Sequence, residues 1–298
     1  MKLSTIINSA FGVGTALTIG RLMPKGIGFK LADLVAIFLA SRNSDQVQAL
    51  RANLWIVSGR QKKAEELSHQ VKKVFRGTAK SIFDFYHHMQ DREKVLAMVE
   101  IGSEINQYFD EKATKNAMFV APHLSNFEVV GRALGVRGYK FQILSYPTPG
   151  SGYQLQNRLR LDVGHMITPT SVESMHQAQK RLKNGENVLT GLDRPIAGEK
   201  YRPIFFNEPA SLPVFYTRLA LNAKVPVVIV SALTKPDGSY LLYFSDPIEM
   251  KSDPDLHKET IRNTEAVLRV AEDLIKEHAD QWSMFYPVWL EAMAETPR

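Results

Sequence analysis

The chain of 298 residues contains no cysteine. That excludes a disulfide scaffold, thiolate metal sites and a cysteine nucleophile, and it suits a reducing compartment. Phosphate-cradling glycine loops are missing too: there is no Walker-type motif, and "GVGTALTIG" does not fit the dinucleotide fingerprint. No internal repeat, low-complexity tract or Gly/Ser linker divides the chain, which predicts one integrated unit. Long hydrophobic runs are scarce. Leu3 to Gly20 is uncharged, but Ser, Thr, Asn and three Gly dilute it below the roughly 20 apolar residues that a spanning helix needs. The stretch also lacks a small-residue cleavage site typical of a secretory signal. "LADLVAIFLA" (Leu31 to Ala40) is greasier but short, and Asp33 interrupts it. The first 42 residues therefore read as one or two helices that lie in, or dock against, a membrane interface. A core helix pair is the alternative, which length and charge do not separate.

What is present is enough for a sizeable core: 44% of residues are hydrophobic and 23% charged. The net charge is +6 and the pI about 9.3, and its placement is uneven. Residues 1 to 90 hold 13 Lys and Arg against 5 Asp and Glu, a net of +8, leaving 24 against 26 in the other 208 residues. A basic N-terminal third suits an anionic membrane surface or an acidic carrier protein. A nucleic-acid partner is not expected, since no aromatic stacking pattern interleaves the basic residues.

From Asp45 to about Tyr108 the sequence is charged, proline-free and helix-friendly, with Val71, Val74, Phe75, Ile82, Phe83, Phe85 and Tyr86 at helical intervals. Near Lys115 the texture changes. "AMFVAP" (117–122), "FQILSY" (141–146), "NVLTGL" (187–192), "VPVVIV" (225–230) and "YLLYFS" (240–245) are short apolar runs bounded by Gly, Pro or Asp. Helical patterns lie between several of them, at Asn126 to Leu134, Ser171 to Leu182 and Val214 to Asn222. A final stripe of Val267, Val270, Ala271, Leu274 and Ile275 marks a long helix. The alternation predicts an α/β fold with a central mixed sheet flanked by helices, a helical N-terminal region over residues 1–112 and an α/β core over 113–298.

"VAPHLSNFE" (120–128) concentrates the chemistry. His123 follows a continuous apolar run, at the carboxyl end of a buried strand, where α/β sheets usually place ligands. Ser125 or Asn126 can cap the next helix, which puts Glu128 in or near its first turn. A carboxylate there is expected to reach back to the imidazole, fix its tautomer and favour the imidazolium formed when His123 accepts a proton. Two surface residues that happen to be neighbours are the bland alternative. His87 and His88 diverge on a helix, and His165, His176 and His257 lack partners at ligand spacing, so nothing calls for a metal or a cofactor.

"HLSNFE" resembles the HxxxxD/E signature of the bacterial lipid A late acyltransferases and of relatives that acylate glycolipids such as phosphatidylinositol mannosides. The resemblance continues collinearly through "RANLWIV", "NRLRLDVGHMI", "GLDRP", "PIFFNEPASLP", "ALNAKVPVVIVSALTKPDGSYLLYF" and "QWSMFYPVW", covering most of residues 50 to 290. It implies a glycerolipid-acyltransferase-like fold on the cytoplasmic face of the cell's inner membrane. It further implies O-acyl transfer from a fatty acyl thioester, of acyl carrier protein or coenzyme A, to a hydroxyl of a glycolipid. His123 would be the general base and Glu128 its orienting partner. Arg160, with Arg158 and Asn157 beside it, would bind a substrate phosphate or the tetrahedral intermediate; Asn126 and Asp193 would support substrate binding. Asn207 stands where that family usually has glycine, in a segment whose backbone helps to shape the acyl pocket. Thioester hydrolysis by the same dyad, and a basic binding protein without catalysis, are the competing functions.

Overall fold

A computed structural model describes residues 10–109, 115–146 and 151–298. The expected boundary at 112/113, and residues 1–9 of the N-terminal stretch, lie outside them. Four helices open the chain: α1 (Ala10–Leu22), α2 (Lys25–Ala40), α3 (Asp45–Val57) and α4 (Ala64–His88). A short α5 (Arg92–Ala97) leads into β1 (Val99–Ile101) and α6 (Asn106–Phe109). The core follows as β2 (Met118–Ala121), α7 (Phe127–Val136), β3 (Gln142–Ser145), α8 (Ser151–Leu161), β4 (Met166–Pro169), α9 (Val172–Lys183) and β5 (Val188–Gly191). The small strands β6 (Ile204–Phe205) and β7 (Glu208–Pro209) precede α10 (Phe215–Ala223), β8 (Val227–Thr234), β9 (Tyr240–Phe244), α11 (Leu256–Glu277) and α12 (Ala292–Glu295).

Seven strands form one sheet in the order β1-β9-β8-β2-β5-β3-β4. All neighbours are parallel except β8 and β9, which pair antiparallel, so the sheet is mixed, as the sequence predicts. The five strands read from the apolar runs all form. β1 and β4 were not expected: three residues in β1, and a β4 run "MITP" that is partly buried at its first three positions and exposed at Pro169, give no continuous apolar signal.

Both faces are covered, which is why β2 reads apolar without alternation. Met118 and Val120 join one cluster with Leu182 of α9, Tyr216 of α10 and Val267 and Ala271 of α11. Phe119 joins the other with Val129, Val130 and Ala133 of α7. α4, 25 residues and so about 37 Å long at 1.5 Å per residue, contributes Val71 and Val74 to the first cluster and Phe85 and Tyr86 to the second.

α2 packs against α4 in a way that inverts the usual soluble helix. Its small residues Gly28, Ala36 and Ala40 face inward, and Gly28 is required there, because a Cβ would fall 2.1 Å from the Phe83 ring. Its large side chains, among them Ile27, Leu34 and Phe38, stay exposed. Among the described residues no helix is long and apolar enough to cross a membrane.

Candidate active site

Strand register builds the site. β2 and β5 are parallel neighbours with Ala121 opposite Gly191, so the residues two places beyond each strand end, His123 and Asp193, emerge side by side. The buried Asp193 carboxylate accepts from His123 Nδ1 at 2.6 Å on one oxygen. On the other it accepts from the His123 backbone N–H at 2.8 Å and from Trp282 Nε1 at 2.8 Å. A carboxylate so placed is an acceptor, so Nδ1 carries the ring proton and Nε2 is left with its lone pair. Glycine at 191 keeps room for the ring, since a Cβ there would sit 3.3 Å from His123 Cε1.

The loop carrying His123 is clamped from the C-terminal end of the chain. The His123 carbonyl accepts from the Ser283 backbone N–H (2.9 Å) and hydroxyl (3.0 Å), and Ser125 N–H donates to Gln281 O at 2.9 Å. Ser125 itself takes a positive φ of 44°, which lets the chain turn from strand into helix. The clamp is held in turn by the buried Asn53 of α3. Its amide donates to the carbonyls of Met284 and Tyr286 and accepts from Val288 N–H. "RANLWIV" and "QWSMFYPVW" are thus one structural device, far apart in sequence, that fixes the imidazole's backbone.

Asn126 caps α7, accepting from Val129 N–H at 3.3 Å, and its amide donates to the Ser81 carbonyl of α4 at 2.8 Å. The expected cap is in place, but the side chain is buried and spent on structure rather than turned to a substrate. Glu128 also departs from the expectation. Its position in the first turn of α7 aims the carboxylate at α8, where Arg160 Nε donates to one oxygen at 3.1 Å and Nη2 to the other. No hydrogen bond joins Glu128 to His123 among the described residues; Asp193 holds the place foreseen for Glu128. Arg160 Nη1 donates to Asn157 Oδ1 at 2.7 Å, so these two predicted residues do come together. Arg158, one place off that face, is exposed.

A slot of about 160 Å³ opens beside His123 and runs between the sheet and the helices α7 and α8. Ile143, Leu159, Val163 and Leu189 give it apolar walls, with Glu128 and Arg160 among its lining residues. Arg194, the residue after Asp193, lies between the rings of Tyr146 and Tyr286 at 4.3 and 4.2 Å from their centroids, a cation–π contact that secures the strand end. "FFN" is elsewhere: Phe205 and Phe206 pack with Trp282 and Trp289 on the opposite face of the sheet. Phe206 and Asn207 both have positive φ, 52° and 60°, the geometry of a tight hairpin turn. Asparagine tolerates it well, so the turn survives without glycine, behind Trp282 rather than in the slot.

Residues 2–291 match the family of bacterial lipid A biosynthesis acyltransferases. The chain belongs to that family. No curated protein matches it significantly. Membership makes this chain an acyltransferase of lipid biosynthesis. Of the sequence-predicted residues, His123, Glu128 and Arg160 line the slot, while Asp193 and Asn157 meet it through their bonds to His123 and Arg160. Trp282, Arg132, Ser145 and His165 were not assigned to the site from sequence; Trp282 bonds Asp193, and the other three line the slot.

The ion pair in the slot wall gives a stability prediction. Both side chains are about 15% exposed, at 16% for Glu128 and 14% for Arg160, so removing one partner strands the other in poor solvent. Glu128→Gln is expected to cost about 2 kcal/mol in denaturant unfolding, and adding Arg160→Met to recover part of it. Equal and additive losses in the two single variants would show that the pair is not coupled.

Proposed function

We propose that this acyltransferase moves a fatty acyl chain from a thioester of acyl carrier protein or coenzyme A to a hydroxyl of a glycolipid, with His123 as general base. The observation that carries this reading is the free lone pair of His123 Nε2 at the mouth of an apolar slot, with Nδ1 tied to a buried carboxylate. Nε2 takes the hydroxyl proton while the oxygen attacks the thioester carbonyl. The tetrahedral intermediate collapses, the C–S bond breaks, and the leaving sulfur takes the proton back from the imidazolium. Asp193 is a positioning residue that fixes the tautomer and stabilises the charge passing through the ring. No serine or cysteine nucleophile is required. The test is an acyl thioester incubated with purified protein, with and without a membrane glycolipid extract. Acceptor-dependent consumption and a glycolipid heavier by one acyl group support transfer; consumption that ignores the acceptor means thioester hydrolysis and overturns it.

Docking on the cytoplasmic leaflet is supported by α2, whose large apolar side chains point outward between the exposed basic residues Arg21, Lys30 and Arg42. Exposed apolar stripes with basic flanks suit an anionic lipid surface. Burying a Leu or Phe side chain contributes about 1.5–3 kcal/mol, so losing two of them in Leu34→Glu with Phe38→Glu is expected to weaken binding to phosphatidylglycerol-containing vesicles, read by sedimentation, by about 10²-fold or more. Unchanged vesicle binding by the folded variant would remove α2 from the interface.

A further inference from the structure

The slot beside His123 has a second feature that simple hydrocarbon does not explain. Three polar atoms of its lining residues are buried without a hydrogen-bond partner: His165 Nδ1, Arg132 Nε and Ser145 Oγ. Each such group costs about 1–3 kcal/mol if left unsatisfied, so a slot meant for a plain alkyl chain would be expected to lack them. His165 is 3% exposed and Ser145 6%.

The identities of the atoms narrow what they await. His165 Nε2 meets the Gly131 carbonyl at 2.8 Å; a carbonyl only accepts, so Nε2 bears the hydrogen. Burial holds this imidazole below its usual pKa, which keeps the ring neutral and Nδ1 a bare acceptor. Arg132, next in sequence to Gly131, donates from Nη1 to the Leu159 carbonyl at 3.2 Å, while its Nε–H has no acceptor. An unmet acceptor and an unmet donor thus stand on two lining residues of one narrow cavity, His165 being bonded to the residue next to Arg132. A carboxylate would meet Nδ1 with no hydrogen to give, and an ammonium would face the arginine. A hydroxyl gives one bond and takes the other.

Resting on the acyl-transfer reading, we propose that the slot selects acyl chains bearing a hydroxyl group, which donates to His165 Nδ1 and accepts from Arg132 Nε–H. Strand register sets its depth. Ser145 lies level with Ala121 at the strand ends, opposite Pro169 of β4, and His165 precedes Pro169 by four residues. At about 3.3 Å per residue that is roughly 13 Å below the mouth, so the hydroxyl belongs well along the chain rather than beside the thioester.

The experiment compares kcat/KM for pairs of acyl thioesters of equal length on the same carrier, one plain and one hydroxylated at successive positions toward the chain end. The carrier arm is common to each pair and cancels. The wild type is expected to prefer one distal hydroxy isomer by about tenfold or more. His165→Leu is expected to abolish the preference, read as the ratio of kcat/KM within each plain and hydroxylated pair, and His165→Gln, which keeps a donor and an acceptor, to restore part of it. Melting curves show that the variants are folded, and calorimetric binding of plain and hydroxylated free fatty acids reads the same preference without turnover. Equal kcat/KM and equal binding for plain and hydroxylated chains in the wild type, as expected if water alone fills the site, overturns the proposal. So does a preference that survives His165→Leu. Either result can occur with acyl transfer intact, whereas absence of acceptor-dependent transfer with every donor sinks the acyl-transfer reading and leaves the binding comparison to decide this one.

Discussion

His123→Ala is expected to lower acyl transfer by about 10² to 10⁴-fold, the usual contribution of a positioned general base. The loss should fall on kcat, because alanine leaves the slot walls and the acyl contacts of the ground state in place. Stability should change little: the side chain is 30% exposed, and the loop is held by its own backbone bonds to Gln281 and Ser283 rather than by the ring. The change does strip one of three donors from Asp193, but the His123 backbone N–H and the Trp282 indole still satisfy that carboxylate. A measured kcat within a factor of three of wild type, in a protein with an unshifted melting temperature, would mean that the proton leaves the acceptor hydroxyl by another route. Residual rate is not a difficulty, since positioning and electrostatic stabilisation continue without the base.

Most of the fold was legible because its signals are local. Continuous apolar runs bounded by Pro, Gly or Asp mark β2, β3, β5, β8 and β9, and Asn126 marks the start of α7 as its cap. What was not legible depends on which strands are neighbours. His123 follows the end of β2 by two residues and Asp193 follows the end of β5 by two. That equal offset becomes a contact only once the sheet order sets β2 beside β5. Sequence proximity instead favoured Glu128, five residues away, and the helix geometry turned it toward Arg160. Trp282 was hidden for the same reason, being 89 residues from the carboxylate that it bonds. His165 had no partner at ligand spacing in the sequence; its significance comes from burial and from an unmet ring nitrogen, properties of the packed molecule alone. The outward face of α2 lies between these cases: the apolar run was visible, but which side chains turn inward was settled by the close approach of Gly28 to Phe83.

Asp193→Asn should nearly silence the enzyme while leaving it folded, for a reason written in the three bonds of the carboxylate. Oδ2 accepts from two donors, the His123 backbone N–H and Trp282 Nε1, whereas Oδ1 accepts only from the ring. Asparagine has one oxygen, and the two fixed donors claim it. Its NH₂ must then face Nδ1, and because an NH₂ group only donates, the imidazole can answer only by giving up the Nδ1 hydrogen. The proton moves to Nε2, the atom that has to receive one from the acceptor hydroxyl. The expected outcome is a fall in kcat of about 10² to 10⁴-fold with KM and melting temperature close to wild type. Glu128→Gln, which disturbs the slot wall but not the ring tautomer, should retain far more of kcat and lose stability instead. If the two variants exchange these signatures, so that Glu128→Gln loses kcat and Asp193→Asn does not, then Glu128 orients the base during turnover. The closed Glu128–Arg160 pair would then have to open when substrate binds.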